Sequence, residues 1–336
     1  MRRRVPLTLA CALVLFRMHT PLAGQTLIGA GATFPLPLYQ RWFAAFAEKQ
    51  PPFRVDYQAI GSEAGVDLLS ARQVDFAASD APLADAKLAA MPMKVFHIPT
   101  VVGGVVPIYH IEGVVQDLRF TPEVLAGIYL GEITRWDDPR IKAANRSVRL
   151  PSRAIAVVHR SDGSGTTYVW TSYLSQVSAD WQASVGPGTA VKWPVGTGAA
   201  RNDGVADAVR STPDSIGYVE YIYALQAHLS YGLVRNASGR FVEASLASLP
   251  LAAVETHSGD FRVSLSNAAA PGAYPIASYT YFLIPEKFSS PEKAEAMTRF
   301  LRWALTAGQK QCAALGYAPL PEPVAKRALD SLGAIH

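Results

Sequence analysis

Three times along this 336-residue chain, a run of strand-forming residues gives way to a short turn of small residues and then to a helix. The first turn is Gly29–Pro35 (GAGATFP), the second Gly61–Gly65 (GSEAG) and the third Arg160–Thr167 (RSDGSGTT). A strand that feeds a helix through a tight turn is the repeating unit of α/β proteins, whose helices cover the faces of a sheet. Thr33, Ser62 and Ser164 each stand where a helix N-cap is expected. Pro35 suits a first helical turn, where its missing N–H costs nothing. The helix after the first turn sets Leu38, Trp42 and Phe46 on one face.

The same alternation continues elsewhere. Phe53–Ile60, Val74–Ser79, Ile155–Val158, Ser215–Tyr221 and Ser278–Ile284 read as strands. Gly65–Arg72, Thr121–Leu130, Gly165–Val177 and Pro291–Thr306 read as helices. Val169, Tyr173 and Val177 recur at helical spacing, as do Ala294, Met297, Leu301 and Leu305. The pattern predicts an α/β fold with a largely parallel sheet. One apolar stretch, Ile98–Ile111, carries Pro99, Gly103, Gly104 and Pro107. Those residues break a membrane helix and suit buried strands with a bend between them, so the stretch reads as a crossover between two lobes. The length fits two lobes or one large domain.

Met1–Gly24 is set apart by its charge. It holds Arg2, Arg3, Arg4 and Arg17 and no acidic residue, with the apolar run Val5–Phe16 and then Ala23 and Gly24. That order is a secretory signal peptide, with cleavage expected near Gly24/Gln25. A membrane anchor fits less well, because the run of about a dozen apolar residues falls short of the roughly 18 that span a bilayer. Without the leader the chain has 27 basic and 27 acidic residues. A neutral chain argues against nucleic acid, which calls for a basic face. Cys11 lies in the leader, so Cys312 remains alone and an intrachain disulfide is impossible. No cysteine stands at the cleavage site to carry a lipid. Apolar residues at 49% supply a core, and charged residues at 17% rule out a disordered or coiled-coil chain.

The three turns also define a chemistry. A hydroxyl at one helix start is routine capping. Three such starts, each beside glycines that admit close backbone approach, point to a small anion held by N–H donors, hydroxyls and helix dipoles. Arg160 immediately precedes the third turn, and its fork fits an oxyanion bidentately, with Asp162 placed to orient it. Asp80 ends the strand Val74–Ser79; taken alone, it is equally a turn residue capping the next helix.

Sharper motifs fail. Phe34 replaces the third glycine of a dinucleotide fingerprint, and no GxxxxGK[ST] occurs. No two histidines stand at metal-ligand spacing. Asp162-Gly-Ser164-Gly is superficially like a serine-protease nucleophile region, but the residue order and the α/β context are wrong. No GxSxG elbow is present.

Gly29–Pro35 (GAGATFP), Tyr57–Ser62 (YQAIGS), Val74–Leu83 (VDFAASDAPL), Ile128–Asp138 (IYLGEITRWDD), Arg160–Thr166 (RSDGSGT) and Ile216–Tyr221 (IGYVEY) together resemble the phosphate-binding proteins of Pst-type ABC transporters. The likeness runs in order from about Thr26 to Pro319. It implies a two-lobed periplasmic binding protein fold of type II, with mixed sheets in each lobe, helices on both faces and the ligand in the cleft between. Lobe 1 is expected to comprise 25–100 and 275–336, and lobe 2 to comprise 101–274, with a return crossing near Tyr274–Ala277. Carried over, Thr33 and Phe34 become phosphate contacts through main-chain N–H, with the Thr33 hydroxyl added. Ser62 becomes a hydroxyl and N–H donor, Asp80 the acceptor carboxylate and Arg160 the guanidinium. Ser164, Gly165 and Thr166 become the donors of the third helix, with Asp162 supporting Arg160.

The implied function is a monomeric, non-enzymatic periplasmic protein that delivers inorganic phosphate to the permease and ATPase subunits of an ABC transporter, with no cofactor, metal or nucleic acid. The alternatives are a carrier of another tetrahedral oxyanion, or a phosphate-ester hydrolase with Ser164 or Thr33 as nucleophile. One departure concerns Ser62-Glu63-Ala64-Gly65, where the family usually has two serines and two glycines. A carboxylate facing a dianion would weaken binding, so Glu63 is expected to point away from the cleft.

Overall fold

The computed structural model describes residues 26–253 and 260–336; the expected leader Met1–Gly24, with Cys11, lies outside them. The chain opens with β1 (Thr26–Gly31), α1 (Leu36–Lys49), β2 (Arg54–Gln58), α2 (Ser62–Ser70), β3 (Phe76–Ser79), α3 (Asp85–Ala90) and the long β4 (Val95–His110). It continues through β5 (Arg119–Phe120), α4 (Pro122–Leu130), α5 (Pro139–Ala144), β6 (Ala156–Arg160), α6 (Gly165–Val177) and α7 (Ala179–Ser184). Next come β7 (Thr197–Ala199), α8 (Arg201–Ser211), β8 (Ser215–Glu220) and α9 (Tyr221–Gln226). The short strands β9 (Ser230–Tyr231), β10 (Leu233–Arg235) and β11 (Phe241–Val242) precede β12 (Ala277–Pro285), α10 (Pro291–Ala304) and α11 (Glu322–Ser331).

Among the described residues, one sheet runs in the order β2-β1-β3-β12-β4-β8-β6-β7, with β9 beside β4. β4 is its spine. Val95–Gly104 pairs with β12, and Val105–His110 pairs with β8. Each half thus has its own mixed set of pairings, as expected, and the two sets are joined edge to edge through β4; the second half adds a small sheet in the order β11-β10-β5. The expected parallel character holds only at the flanks, where β1 pairs with β2 and β3, and β6 with β7 and β8. β12 and β4 run against all the neighbours they have in the middle. The reason is topological: β12 returns from far along the chain, and β4 passes from one half to the other.

Ile98–His110 is part of one continuous strand, β4, not two with a bend, and Ile111 follows its end. Its prolines are absorbed locally. The register slips by one residue between Thr280 and Tyr281, opposite Pro99 and Val101, and this is the irregularity a proline inside a sheet needs. Thr100, left over by the slip, donates its hydroxyl to Thr280 O at 2.9 Å.

Each half has an aromatic core. Leu38, Trp42 and Phe46 of α1 are buried as their spacing predicts. Phe46 meets Phe53 edge-on at 4.6 Å and Phe300 at 5.5 Å, and Trp42 donates its indole N–H to Gly308 O at 3.0 Å. In the other half Trp170 stacks on Tyr218 at 5.1 Å, with Tyr129 and Trp193 against the pair. Truncating any of these large buried side chains is worth about 3–5 kcal/mol. Phe261–Val263 lies against the first half: Tyr281 donates to Phe261 O at 2.9 Å, and Arg262 reaches Leu83 O and Asp85.

Candidate functional site

α6 begins where the sequence predicts. Ser164 Oγ accepts the Thr167 N–H at 3.1 Å, an ordinary N-cap. The other two hydroxyls are not caps. α1 starts at Leu36 with Pro35 in the cap position and no side-chain cap, while Thr33 Oγ1 accepts Asn202 Nδ2–H at 2.9 Å. α2 starts at Ser62 itself, preceded by Gly61 at φ 100°, ψ 150°, a backbone that glycine adopts without strain. Pro35 and Gly61 fix those helix entries through the backbone, and so release the two hydroxyls for work outside the helix.

Ser62 uses its freedom across the cleft. Its Oγ accepts the N–H of Gly165, at the start of α6, at 3.1 Å. A Cβ added at Gly165 would stand 2.5 Å from Ser62 Oγ and 2.7 Å from Asp80 Oδ2. Glycine is thus required there by close approach. The same relation puts Asp80, at the end of β3, beside the donor end of α6.

Asp80 is 1% exposed. Thr280 Oγ1 donates to its Oδ1 at 2.8 Å, and Ser278 Oγ donates to its main-chain oxygen at 3.1 Å. Burial raises its carboxyl to a pKa of about 7, against the opposing pull of the Thr280 hydroxyl and the Arg160 charge. It caps no helix, since α3 begins only at Asp85.

Arg160 ends β6, with its side chain 1% exposed. Asp162 grips it bidentately, from Nε at 2.8 Å and from one terminal nitrogen at 2.6 Å. The other terminal nitrogen faces Thr166 Oγ1 at 3.4 Å. Burial works to raise the Asp162 carboxyl, yet Arg160 and the Arg201 N–H, at 3.0 Å, hold it below the usual range. Phe34 is wholly buried: its ring fills the space beside Gly103, and its carbonyl accepts the Tyr317 hydroxyl at 2.7 Å. Any ligand role for Phe34 therefore falls to its main-chain N–H.

Thr33, Ser62, Asp80, Arg160, Gly165 and Thr166 thus meet around one buried point where the starts of α1, α2, α6 and α8 converge. Among the described residues no group of three or more His, Cys, Asp or Glu side chains is set to hold a metal ion. A separate concavity of about 430 Å³, lined by Ile28, Asp75, Lys94 and Lys293, opens at the other end of the strands and carries none of the predicted site residues.

Two features depart from the sequence reading. Glu63 does not turn away from the opposite half; its Oε2 accepts the Thr189 hydroxyl at 3.1 Å, and its N–H donates to Gly163 O at 3.2 Å. α2 opens directly opposite the glycine turn of α6, and only a glycine at 163 leaves room for that carboxylate. Asn202, at the start of α8, is wholly buried in the site and was not foreseen. The signal was present: Gly196–Asn202 (GTGAARN) is a fourth small-residue turn ahead of a helix, with an amide where the others carry hydroxyls.

Comparison with known proteins places the chain in a family. A family model described as the PBP superfamily domain matches residues 19–307. The chain is 41% identical to the phosphate-binding protein PstS of Pasteurella multocida, over 90% of this chain and 88% of that one. It is 39% identical to PstS of Haemophilus influenzae, over 89% and 90% respectively. Its fold is similar to that of a high-affinity periplasmic phosphate-binding protein, PfluDING, solved with phosphate bound, with a TM-score of 0.74 at 20% identity, covering 91% of this chain and 94% of that one.

Proposed function

The chain belongs to the phosphate-binding proteins of the PBP superfamily, and from that premise we propose that it captures inorganic phosphate between two lobes and delivers it to an ABC transporter. The observation that carries this reading is a buried, donor-lined point where the carboxyl of Asp80 stands among hydroxyls, helix N-termini and Arg160. Lobe 1 comprises 25–100 and 275–336, and lobe 2 comprises 101–274. Thr33, Phe34, Ser62 and Asp80 then face the ligand from lobe 1, and Arg160, Ser164, Gly165 and Thr166 from lobe 2. Each lobe alone offers half a shell, so phosphate stabilises the closed state through contacts that only closure completes.

Asp80 supplies the selectivity. An ionised carboxylate only accepts hydrogen bonds, and monobasic or dibasic phosphate carries a proton to give it. Sulfate carries none and sets negative charge against Asp80 in a desolvated cleft. A penalty of about 4 kcal/mol amounts to roughly a thousandfold discrimination. Arsenate also carries a proton and competes.

The chain works in the periplasm after loss of Met1–Gly24, as a monomer, with the closed form recognised by the permease that an ATPase subunit drives. It has no catalytic role. What supports this is that the relatives it matches are named as binding proteins. Isothermal titration of the chain from Gln25 onward, stripped of bound phosphate, is the test. One-to-one phosphate binding with no sulfate signal is expected. Equal binding of both would replace the reading with a general oxyanion carrier, and turnover of a chromogenic phosphate ester would replace it with a hydrolase.

A further inference from the structure

Asn202 makes three hydrogen bonds from a fully buried position. Its Oδ1 accepts the main-chain N–H of Glu220 at 3.0 Å, and its Nδ2 lies 2.9 Å from Thr33 Oγ1 and 3.2 Å from Thr166 Oγ1. The Glu220 N–H can only donate, so it fixes which end of the amide is oxygen. Both hydrogens of Nδ2 are then directed at the two threonine oxygens, and each hydroxyl must accept. Thr166 Oγ1 also accepts from Arg160 at 3.4 Å, which engages its second lone pair. Thr166 then has only its proton left to offer, and Thr33, with one lone pair taken by Asn202, has its proton turned away from the amide.

We propose that Asn202 is a positioning residue that presets Thr33 and Thr166 as proton donors toward the bound anion. This rests on the reading that phosphate sits among these groups. The preset turns both threonine protons toward the ligand and leaves Asp80 as the carboxylate placed to accept from it, so the shell favours a ligand that brings a proton to that side. The amide also couples this setting to closure. Thr166 shares lobe 2 with Asn202 and is oriented at all times, whereas Thr33 is oriented only when lobe 1 arrives.

The experiment compares Asn202→Ala and the isosteric Asn202→Asp, each alone and in a Thr33→Val/Thr166→Val background, by phosphate titration. In the threonine background, Asn202→Asp turns the amide donor into an acceptor that draws both hydroxyl protons away from the ligand. It is expected to bind phosphate at least about tenfold more weakly than Asn202→Ala, the equivalent of one misdirected charge-assisted hydrogen bond. In the valine background that gap shrinks to whatever the added charge alone costs. An equal gap in both backgrounds, or Asn202→Asp binding better than Asn202→Ala, would overturn the proposal, because shape or charge would then explain everything. Wild-type protein that binds no phosphate would instead overturn the reading beneath it. Should the variants not fold, proton–phosphorus NMR of the wild-type complex decides: both threonine hydroxyl protons should correlate with the phosphate phosphorus, and absence of both correlations contradicts the preset.

Discussion

Gly165 donates its N–H to Ser62 Oγ at 3.1 Å, joining the first residue of α6 to the first residue of α2 across 103 positions of sequence. The contact exists because neither residue spends its polar group inside its own helix. The four leading N–H groups of a helix have no intrahelical acceptor, and Gly61 has taken over the helix entry that Ser62 would otherwise cap. Closure of the two halves is thus written at the helix starts.

Gly165→Ala is expected to prevent that closure. Its Cβ would fall within 2.8 Å of three atoms of Ser62 and Asp80, too close for either residue to accommodate. Phosphate affinity should drop by at least about a hundredfold, the equivalent of roughly 3 kcal/mol. Small-angle scattering should show compaction with phosphate in the wild type and none in the variant; equal compaction in both would show that the contact does not govern closure.

The raised Asp80 carboxyl makes stability fall as pH rises. Its pKa is 3.8 in an unfolded chain and about 7 in the fold, so between those values the folded state holds more protons than the unfolded one. By linkage the closed, phosphate-free protein loses stability as pH climbs from about 4 to about 7, by as much as roughly 4 kcal/mol from this group. Asp80→Asn should flatten that part of the profile and stabilise the protein at pH 8 in urea unfolding. Sulfate should also begin to bind below pH 7, where a protonated Asp80 becomes a donor.

Asp162→Asn removes the counter-charge of a buried guanidinium. Breaking one side of such a pair costs about 3–5 kcal/mol. The loss should be large in phosphate-free protein and clearly smaller at saturating phosphate, where the ligand itself neutralises Arg160. Urea melts with and without phosphate measure the difference, and equal losses would place Arg160 away from the anion.

Glu63 acts at the rim. Its bond to Thr189 forms only between closed halves, and an exposed contact of this kind is worth about 0.5–1 kcal/mol. Glu63→Ala should therefore speed phosphate release roughly two- to fivefold and leave the association rate unchanged in stopped flow. Thr189→Val should add nothing further in that background.

Much of this was legible because it was local. α6 runs from Gly165 to Val177 as predicted, since the Ser164 cap and the spacing of Val169 and Tyr173 are written in adjacent residues. The helix α10 ends within two residues of its expected limit for the same reason. What was not legible depended on distant partners. A hydroxyl at a cap and one a residue inside a helix look alike in sequence, and only the φ of Gly61 separates them. Strand direction in the centre of the sheet is set by pairings such as Phe282 with Ala78, which no periodicity reveals. β7 is three largely exposed residues, so the turn that delivers Asn202 carried no strand pattern to mark it.

The central claim is that one buried carboxyl among donors selects an oxyanion that carries a proton. The most direct measurement is the ratio of phosphate to sulfate affinity at pH 8 for the wild type and for Asp80→Asn, by calorimetry on phosphate-stripped protein. The account predicts a ratio near a thousand for the wild type and a collapse toward parity in the variant, chiefly because sulfate gains affinity. A ratio that survives Asp80→Asn unchanged would contradict it.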